Sequence, residues 1–377
     1  MSAEPLSWVM IMPFFKPAPG GCAYYLDTIT RALAEQGDRV LIVTEQHPCT
    51  PRHEVLEGTD GKVEIMRLFP YRAGRAKKDW RSFVAYFFAN LSYLRLPGIV
   101  RKRARMGFGA PRTLVHGCMF YNPNSLKFEV DSLKPEGDGL LVVDVRDMQF
   151  PDDEIALLEK FDRIVTSSLG VADDLERRSV PRAKITPIPM PFTFPPEPDQ
   201  ATVAATLEKH GLAGKRFLLN PNGISRDKLY GEMRDAMPLI RNQPGMEDIV
   251  LVSVGRDRDR TEADDRSEQA GLSLYLGPIP RDELLSLMKA AHFVVILSPN
   301  EAISRAALEA MAVGGRVILP DVEEFRAECG SHICADPTPE KVAQMVTDLA
   351  AEPMPRFGFE RHLDPHYQPM YRALGKA

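Results

Sequence analysis

Two carboxylates, Glu301 and Glu309, stand eight residues apart in a stretch where they could hold a phosphate-containing ligand. If both were helical, eight steps of about 100° would leave their side chains roughly 80° apart, so the two could not share a helix face. We interpret them instead as two anchors of one bound diphosphate compound. Glu309 would accept hydrogen bonds from a pair of vicinal hydroxyls, and Glu301 would contact another part of the ligand. For either residue alone, a solvated surface glutamate is the simpler interpretation.

A crossover unit is predicted to position these carboxylates. The apolar residues 293–297 predict a buried parallel strand, and residues 317–319 predict a second one. Between them, Ser304 can cap a helix over residues 305–313, which the glycines at 314–315 would end. The N-terminus of such a helix opens at the carboxyl edge of the sheet, where open α/β sheets bind ligands and backbone N–H groups favour a phosphate.

The same stretch resembles the signature of the glycosyltransferase group 1 family. Glu301 and residues 309–312, which read EAMA, fit that signature without a gap, whereas residues 298–299 reverse its usual proline-serine order and Arg316 stands where proline is common. Similarity to the family extends over most of the chain. The resemblance implies an α/β fold of GT-B type, with two Rossmann-like domains facing one another across a cleft. It also implies a retaining glycosyltransferase whose donor substrate is a nucleotide-diphosphate sugar and which needs no cofactor.

The resemblance implies further contacts to the donor phosphates. Lys228 matches the family's lysine and would stabilise the diphosphate, which departs carrying negative charge. Gly223 falls where the family has an arginine, and Leu229 replaces the glycine that follows the lysine. Arg226 or Arg305 could supply the missing charge, although the motif matches neither.

The rest of the donor would be held by backbone and by the first glutamate. Glu301, with the backbone near Ile303 and Ser304, would orient the sugar. Gly277 lies in a predicted glycine turn before a helix and would contact the nucleotide base. No carboxylate pair resembles a metal-binding DxD motif, so no metal is expected.

The N-terminal half alternates short apolar runs with helical patterns, which predicts a parallel sheet with crossover helices. Gly20 and Gly21 open the first helix, where glycine lets the backbone approach a ligand. A glycine pair is most often only a turn. In the family the matching loop faces the cleft near the transferred sugar and the acceptor, so both glycines become candidate acceptor contacts.

His116 ends a predicted strand and is the third catalytic candidate, beside Lys228 and Glu301. The family commonly has a His-x-His pattern here, but Cys118 replaces its second histidine. Arg146 likewise stands where relatives often have a histidine. A purely structural role for His116 is the alternative.

Two domains and a returning tail are predicted. The acceptor-binding domain would cover residues 1–191, the donor-binding domain residues 192–355, and the tail, residues 356–377, would cross back to the first domain. Prolines between 187 and 198 cannot continue a helix or a central strand, so they predict a semi-rigid linker. The charged residues 256–266 are predicted to form a solvated loop.

The composition is typical of a globular protein, since 44% of the 377 residues are hydrophobic and 26% are charged. A net charge of −5 gives no general reason to expect a nucleic-acid partner. The sequence contains no run of 18 apolar residues and no signal-peptide pattern, and its five scattered cysteines form no CxxC pair. These features predict a cytoplasmic protein without zinc or a disulfide framework.

One segment is strongly basic. Residues 72–105 contain ten Arg or Lys and a single acid, Asp79, in two clusters that flank the aromatic and apolar residues 83–94. Such a segment suits peripheral contact with anionic lipid headgroups on the inner face of a membrane. A core helix with solvated basic ends explains it equally well.

The expected activity is transfer of a sugar to an unidentified acceptor, either a saccharide or a lipid-linked one, in the synthesis of a cell-surface polysaccharide or glycoconjugate. Two alternatives remain open. One is a non-catalytic GT-B binding or scaffold protein that has lost donor phosphate contacts, and the other is a sugar-nucleotide epimerase of the same fold. The sugar, the base and the acceptor are not readable from the sequence, because the loops that select them vary most.

Overall fold

The chain forms two compact units in the computed structural model: Met1–Pro191 together with Glu360–Ala377, and Phe192–Phe359. The structure describes residues 5–12, 15–17, 21–69, 94–105, 111–116, 130–146, 150, 152–189, 191–298, 303–322, 325–326, 329–355, 357 and 373–374.

The first unit is built on one sheet of eight strands. The strands are β1 (Ser7–Ile11), β2 (Arg39–Glu45), β3 (His53–Val55), β4 (Val63–Phe69), β5 (Pro111–His116), β6 (Leu140–Val145), β7 (Arg163–Thr166) and β8 (Ile185–Pro187). Their order in the sheet is β3-β4-β2-β1-β5-β6-β7-β8. The pairs are parallel apart from the antiparallel β3–β4 pair. The accompanying helices are α1 (Gly21–Glu35), α2 (Leu96–Ala104), α3 (Ile155–Leu158) and α4 (Leu169–Arg177).

The core of the first unit follows from the apolar runs of its sequence. β1 is buried at all five positions, as expected for a central strand that is covered on both faces. The amphipathic helix α1 contributes Tyr25 and Leu26 to the same core cluster as Trp8 and Met10 of β1. Leu374, from the end of the chain, belongs to this cluster too and is only 3% exposed.

The second unit is a doubly wound parallel sheet of six strands. The strands are β9 (Phe217–Asn220), β10 (Val250–Val254), β11 (Ser273–Gly277), β12 (Phe293–Val295), β13 (Val317–Pro320) and β14 (Ile333–Cys334), in the order β11-β10-β9-β12-β13-β14. Its helices are α5 (Gln200–Lys209), α6 (Tyr230–Arg241), α7 (Glu262–Gln269), α8 (Arg281–Ala290), α9 (Arg305–Ala312) and α10 (Pro339–Asp348). The predicted strand–helix–strand crossover is present as β12, α9 and β13.

The predicted solvated loop at residues 256–266 is wrong in its second half, because α7 begins at Glu262. Thr261 and Asp264 form a capping box in which each side chain bonds the other residue's backbone N–H. Asp264 also accepts a hydrogen bond from Arg234 at 2.5 Å, and Arg260 pairs with Asp265 at 2.7 Å. The charged run is therefore partly a helix start held by ion pairs.

The described part of the basic segment forms α2 and the turn before it. Leu96 and Val100 of α2 are buried, and Arg103 is buried in an ion pair with Glu64 at 2.9 Å. The other cations of this part, Arg95, Arg101, Lys102 and Arg105, are exposed. Among the residues that the structure describes, no helix is both long and apolar enough to cross a membrane.

Candidate functional site

The two neighbouring strands at the centre of the second sheet, β9 and β12, define its topological switch point. From β9 the chain proceeds to β10 on one side, whereas β12 proceeds to β13 on the other. Ligands of open α/β sheets bind at such a point, beyond the carboxyl ends of the strands. Lys228 follows β9 and Ser298 follows β12, and Lys228 Nζ donates to Ser298 Oγ at 3.3 Å. The predicted phosphate lysine therefore lies beside the loop that leads to α9.

The start of α9 is fixed as the sequence predicts. Ser304 is its N-cap, in extended backbone, and its Oγ accepts a hydrogen bond from the N–H of Ala307 at 3.4 Å. Ile303 and Ser304 are both buried. Gly315 lets the end of α9 pack closely, because a Cβ there would lie 2.6 Å from the carbonyl oxygen of Met288 on α8. The helix is thus held against α8 with its N-terminus at the carboxyl edge of the sheet.

Glu309 lies one turn into α9, is 7% exposed, and is held by two arginines. Arg281, the first residue of α8, donates to Glu309 Oε1 from Nη2 at 2.9 Å and from Nε at 3.3 Å. Arg305 Nε donates to the same oxygen at 3.1 Å, and its Nη2 lies 3.0 Å away. The predicted hydroxyl-binding carboxylate is therefore part of an ion cluster of three side chains.

Gly223 lies where two backbone segments cross. Its φ is +72°, and a Cβ built on it would lie 2.1 Å from the carbonyl oxygen of Arg256. Its N–H donates to Val254 O at 2.8 Å, and the Ile224 N–H donates to Arg256 O at 3.1 Å. No side chain fits at this position without a backbone shift, so the arginine that the resemblance implies here is sterically excluded in the present backbone.

Leu229, which replaces the family's glycine, adopts the left-handed conformation that favours glycine (φ 55°, ψ 41°). It directly precedes α6 and follows the short 3₁₀ turn that carries Lys228. Non-glycine residues in this conformation cost on the order of 1–2 kcal/mol. The turn around Lys228 thus keeps the backbone geometry that the motif glycine would favour, at some cost in strain.

Gly277 ends β11, the edge strand of the second sheet, with φ +71°. Its carbonyl oxygen accepts the Gly255 N–H at 3.0 Å, and Tyr275 Oη donates to Gly255 O at 2.8 Å. β11 is two strands away from the switch point. Gly277 is linked to the ion cluster through the chain itself, since the turn that follows it leads into α8 and Arg281.

In the first unit, the switch point lies between β1 and β5. Gly21 is the first residue of α1, and His116 is the last residue of β5. In the sheet register His116 is the partner of Asp144 on β6. Gly20, Cys118 and Glu301 lie outside the described residues. The described candidates of this unit therefore stand at the carboxyl edge of its sheet.

Sequence reasoning missed Asp144 and Arg281 as candidate site residues. Asp144 is fully buried and accepts from Arg146 Nε at 2.7 Å, while the Arg146 guanidinium lies 3.1 Å from the ring centroid of Tyr25. Arg281 contacts Glu309 from another helix, 28 residues earlier in the chain. The pair Asp144 and Arg146 was weakly indicated by an acid two residues from an arginine. Nothing local in the sequence predicted the contact between Arg281 and Glu309.

Residues 204–354 match the family model described as Glycosyl transferases group 1. A comparison with curated proteins found no match. Among solved structures, the chain is similar to sucrose-phosphate synthase from Thermosynechococcus elongatus, with 18% identity, a TM-score of 0.65, and 98% of this chain and 94% of that chain covered. It is similar to HepE from Anabaena in complex with UDP, with 14% identity, a TM-score of 0.65 and coverage of 98% and 94%.

A third similar structure is an α,α-trehalose-phosphate synthase (UDP-forming) from Burkholderia xenovorans in complex with glucose-6-phosphate. Its identity is 13%, its TM-score is 0.63, and 97% of this chain and 95% of that chain are covered. These structural similarities confirm the predicted α/β fold of GT-B glycosyltransferases, with two parallel-sheet domains. Over residues 204–354, the family match agrees with the predicted family and with the predicted enzyme class, glycosyltransferase.

Proposed function

Because residues 204–354 match the family model of the group 1 glycosyl transferases, we propose that the protein is a retaining glycosyltransferase whose second unit binds a nucleotide-diphosphate sugar. The observation that carries this proposal is the hydrogen bond from Lys228 Nζ to Ser298 Oγ, 3.3 Å long, at the switch point of that unit. The capped start of α9 and the carboxylate of Glu309 lie on the element that follows Ser298. A phosphate-binding cation, a helix N-terminus and a hydroxyl acceptor are the groups that such a donor requires.

In the proposed reaction the bond between the sugar's C1 and the β-phosphate oxygen breaks, and a bond forms between C1 and an acceptor hydroxyl oxygen on the same face. The acceptor proton passes to the departing phosphate, so the products are the glycoside and the nucleoside diphosphate. Lys228 stabilises the charge that develops on the diphosphate. Glu309 holds the ribose hydroxyls, while Glu301 and the backbone near Ile303 and Ser304 orient the sugar.

The first unit is proposed to bind the acceptor. Gly20 and Gly21 would let the backbone approach it, and His116 would contact the reacting sugar. This assignment is supported by the positions of Gly21 and His116 at the carboxyl edge of the first sheet. We propose a saccharide or lipid-linked acceptor, in the synthesis of a cell-surface polysaccharide or glycoconjugate. A sugar phosphate, of the kind bound by the Burkholderia xenovorans enzyme, is the other acceptor class to test.

The melting temperature in the presence of UDP, GDP, ADP or dTDP tests the donor site. A ligand at about a hundred times its Kd adds roughly 2.7 kcal/mol of stability, which raises the melting temperature by several degrees. We expect a shift with one nucleotide that disappears in Glu309→Ala and persists in the matched control Glu208→Ala, an exposed helical glutamate of the same unit. No shift with any of the four would favour a non-catalytic relative.

Product analysis then separates transfer from epimerisation. The nucleotide sugar that contains the selected base is incubated with and without a panel of acceptors. Release of nucleoside diphosphate with formation of a glycoside of unchanged anomeric configuration is the expected result. A changed sugar that is still attached to its nucleotide, formed without acceptor, would identify an epimerase instead.

Peripheral membrane contact on the cytoplasmic side is a second part of the proposal. It is supported by α2 and the turn before it, where Leu94 is 73% exposed and three arginines and one lysine are exposed. We expect sedimentation with vesicles that contain anionic lipid but not with neutral ones, and a loss of this binding in the triple variant Arg101→Gln, Lys102→Gln, Arg105→Gln. Equal binding by the variant would leave α2 as a core helix with solvated basic residues.

A further inference from the structure

Arg305 is the first residue of α9, so it lies at the positive end of the helix dipole. Its guanidinium is oriented by Glu309, one turn later in the helix. Arg305 Nε and Nη2 lie 3.1 Å and 3.0 Å from the same carboxylate oxygen. Its side chain is 24% exposed, so a ligand can reach it. An arginine that is already oriented loses less freedom when it binds an anion, and its planar fork suits phosphate oxygens.

The cluster around Glu309 contains two cations. Arg281 and Arg305 both contact Glu309 Oε1, at 2.9 Å and 3.0 Å. Lys228 adds a third cation at the other end of the connection between β12 and α9, beside Ser298. In a nucleotide sugar, each phosphate of the diphosphate carries one negative charge. The cations on these elements therefore have the sign that suits a diphosphate.

Arg226 is the rival source of charge, and it lies in the same 3₁₀ turn as Lys228, Arg226–Lys228. It lines a pocket of about 210 Å³ whose walls come from residues 224–264, between the β9 and β10 connections. Its backbone N–H is fixed by Asp259 at 2.9 Å, and its side chain is exposed. Gly223 has no side chain, and one added there would require a backbone shift because of the contact with Arg256. Of the cations considered, Arg305 and Arg281 are the two joined to the predicted hydroxyl-binding carboxylate.

We propose that Arg305 binds the donor diphosphate together with Lys228, and that Glu309 positions it. In this arrangement Glu309 uses Oε1 to orient the guanidinium and Oε2 to accept the donor's hydroxyls. Arg281 steadies the carboxylate from α8. The inference rests on the proposed function, because it presupposes a nucleotide-sugar donor.

The test compares a nucleoside diphosphate with its nucleoside by calorimetric titration. The probe is whichever of UDP, GDP, ADP and dTDP binds the wild type most tightly. Arg305→Gln should weaken diphosphate binding on the order of tenfold to a hundredfold, the usual value for charge-assisted hydrogen bonds, and leave nucleoside binding within about twofold. Retained nucleoside binding also shows that this variant is folded. Arg305→Lys should recover part of the loss, since it restores the charge without the fork.

Two further arginines serve as controls. Arg226→Gln should bind both probes like the wild type. Arg281→Gln removes the other guanidinium from Glu309 Oε1, so it should change nucleoside binding as little as Arg305→Gln does and should not cause a selective loss of diphosphate binding.

Three results would overturn the inference. Unchanged diphosphate binding by Arg305→Gln, or a parallel loss of diphosphate and nucleoside, removes Arg305 from the phosphate site while the proposed donor site stands. A selective loss in Arg226→Gln instead would assign the charge to that residue. A wild type that binds none of the four nucleotides overturns this inference and the proposed function together.

Discussion

The backbone around Gly223 shows how a single residue can be fixed by packing next to a binding site. Gly223 and Gly255 face each other where the connections after β9 and β10 cross, and a Cβ on Gly255 would lie 2.9 Å from the Gly223 nitrogen. The hydrogen bonds from Gly223 to Val254 and from Ile224 to Arg256 extend the pairing of the two strands beyond the sheet. Backbone packing within the second unit therefore explains why position 223 is a glycine.

Gly223→Ala should consequently destabilise the second unit more than an alanine at a glycine that only has a positive φ. Gly214 is the matched control, since its φ is +71° and a Cβ added to it would have no neighbouring atom within 4 Å. We expect Gly214→Ala to cost about 1–2 kcal/mol from its conformation alone. Gly223→Ala should cost roughly a further 1–3 kcal/mol from the clash, measured by urea denaturation. Equal losses of stability in Gly223→Ala and Gly214→Ala would contradict this prediction, because they would show that the backbone at Gly223 accommodates a Cβ.

At this scale the sequence predicts motif residues well and tertiary partners poorly. Lys228 and Ser304 are predictable because a motif and a cap are local patterns, and both stand at the carboxyl edge as expected. The contact between Arg281 and Glu309 joins two helices 28 residues apart, and no periodicity within either helix signals it. Gly223 is recognisable as a departure from the motif, but its cause depends on Arg256, which only the fold brings near.

Helix α7 is the element whose existence depends most on polar contacts. It has eight residues with three acids in its first turn, and its described buried positions are Asp264 and Ser267. Burial raises the pKa of Asp264, but hydrogen bonds from Arg234 and Thr261 outweigh this and hold the pKa below its ordinary value. A carboxylate with a lowered pKa in the folded state stabilises the protein at pH values above its unfolded pKa, and this contribution is lost as the pH falls through the folded pKa.

Asp264→Asn should therefore lower stability at pH 7 by about 1–3 kcal/mol, since it weakens a cap and an ion pair. As the pH falls below about 4, the wild type should lose stability more steeply than the variant, so the two curves converge. Urea denaturation over a pH series measures both effects. Glu262→Gln is the control, because Glu262 is 94% exposed and lies 3.6 Å from Arg266; a similar loss there would contradict the role of the cap.

The same element shows why local prediction failed. The strands and α9 are indicated by apolar runs and by a serine cap followed by glycines. In α7 the capping pattern, Thr261 with Asp264 three residues later, was present, but no apolar stripe followed it. A charge run with no apolar face predicts a loop unless its acids are known to meet Arg234 and Arg260.

For the molecule as a whole, the chain passes between its two units twice. It leaves the first unit after Pro191, where several prolines prevent a regular element, and the segment Glu360–Ala377 belongs to the first unit again. Leu374 is buried in the core that contains Trp8 and Leu26. The end of the chain is thus a structural part of the first unit, although it follows the second unit in sequence.

Leu374→Ala should destabilise the first unit by about 2–5 kcal/mol, the usual cost of emptying a buried leucine site. Hydrogen exchange followed by mass spectrometry can localise the effect. Amides of β1 and α1 should exchange faster, while those of β9 and β10 should be unchanged. Leu169→Ala, at a half-exposed leucine of the same unit, should have little effect. Faster exchange confined to the second unit would contradict this assignment.

The crossing at Gly223 also limits the mutational routes open to this protein. An arginine introduced there by one substitution would place its first side-chain carbon 2.1 Å from the Arg256 carbonyl oxygen, so the connection after β10 would have to move beforehand. The intermediate with a displaced connection would lose the hydrogen bonds that join Gly223 to Val254 and Ile224 to Arg256. An arginine at position 223 therefore requires a second change that displaces the connection after β10, and a variant with that change alone should be less stable than the wild type.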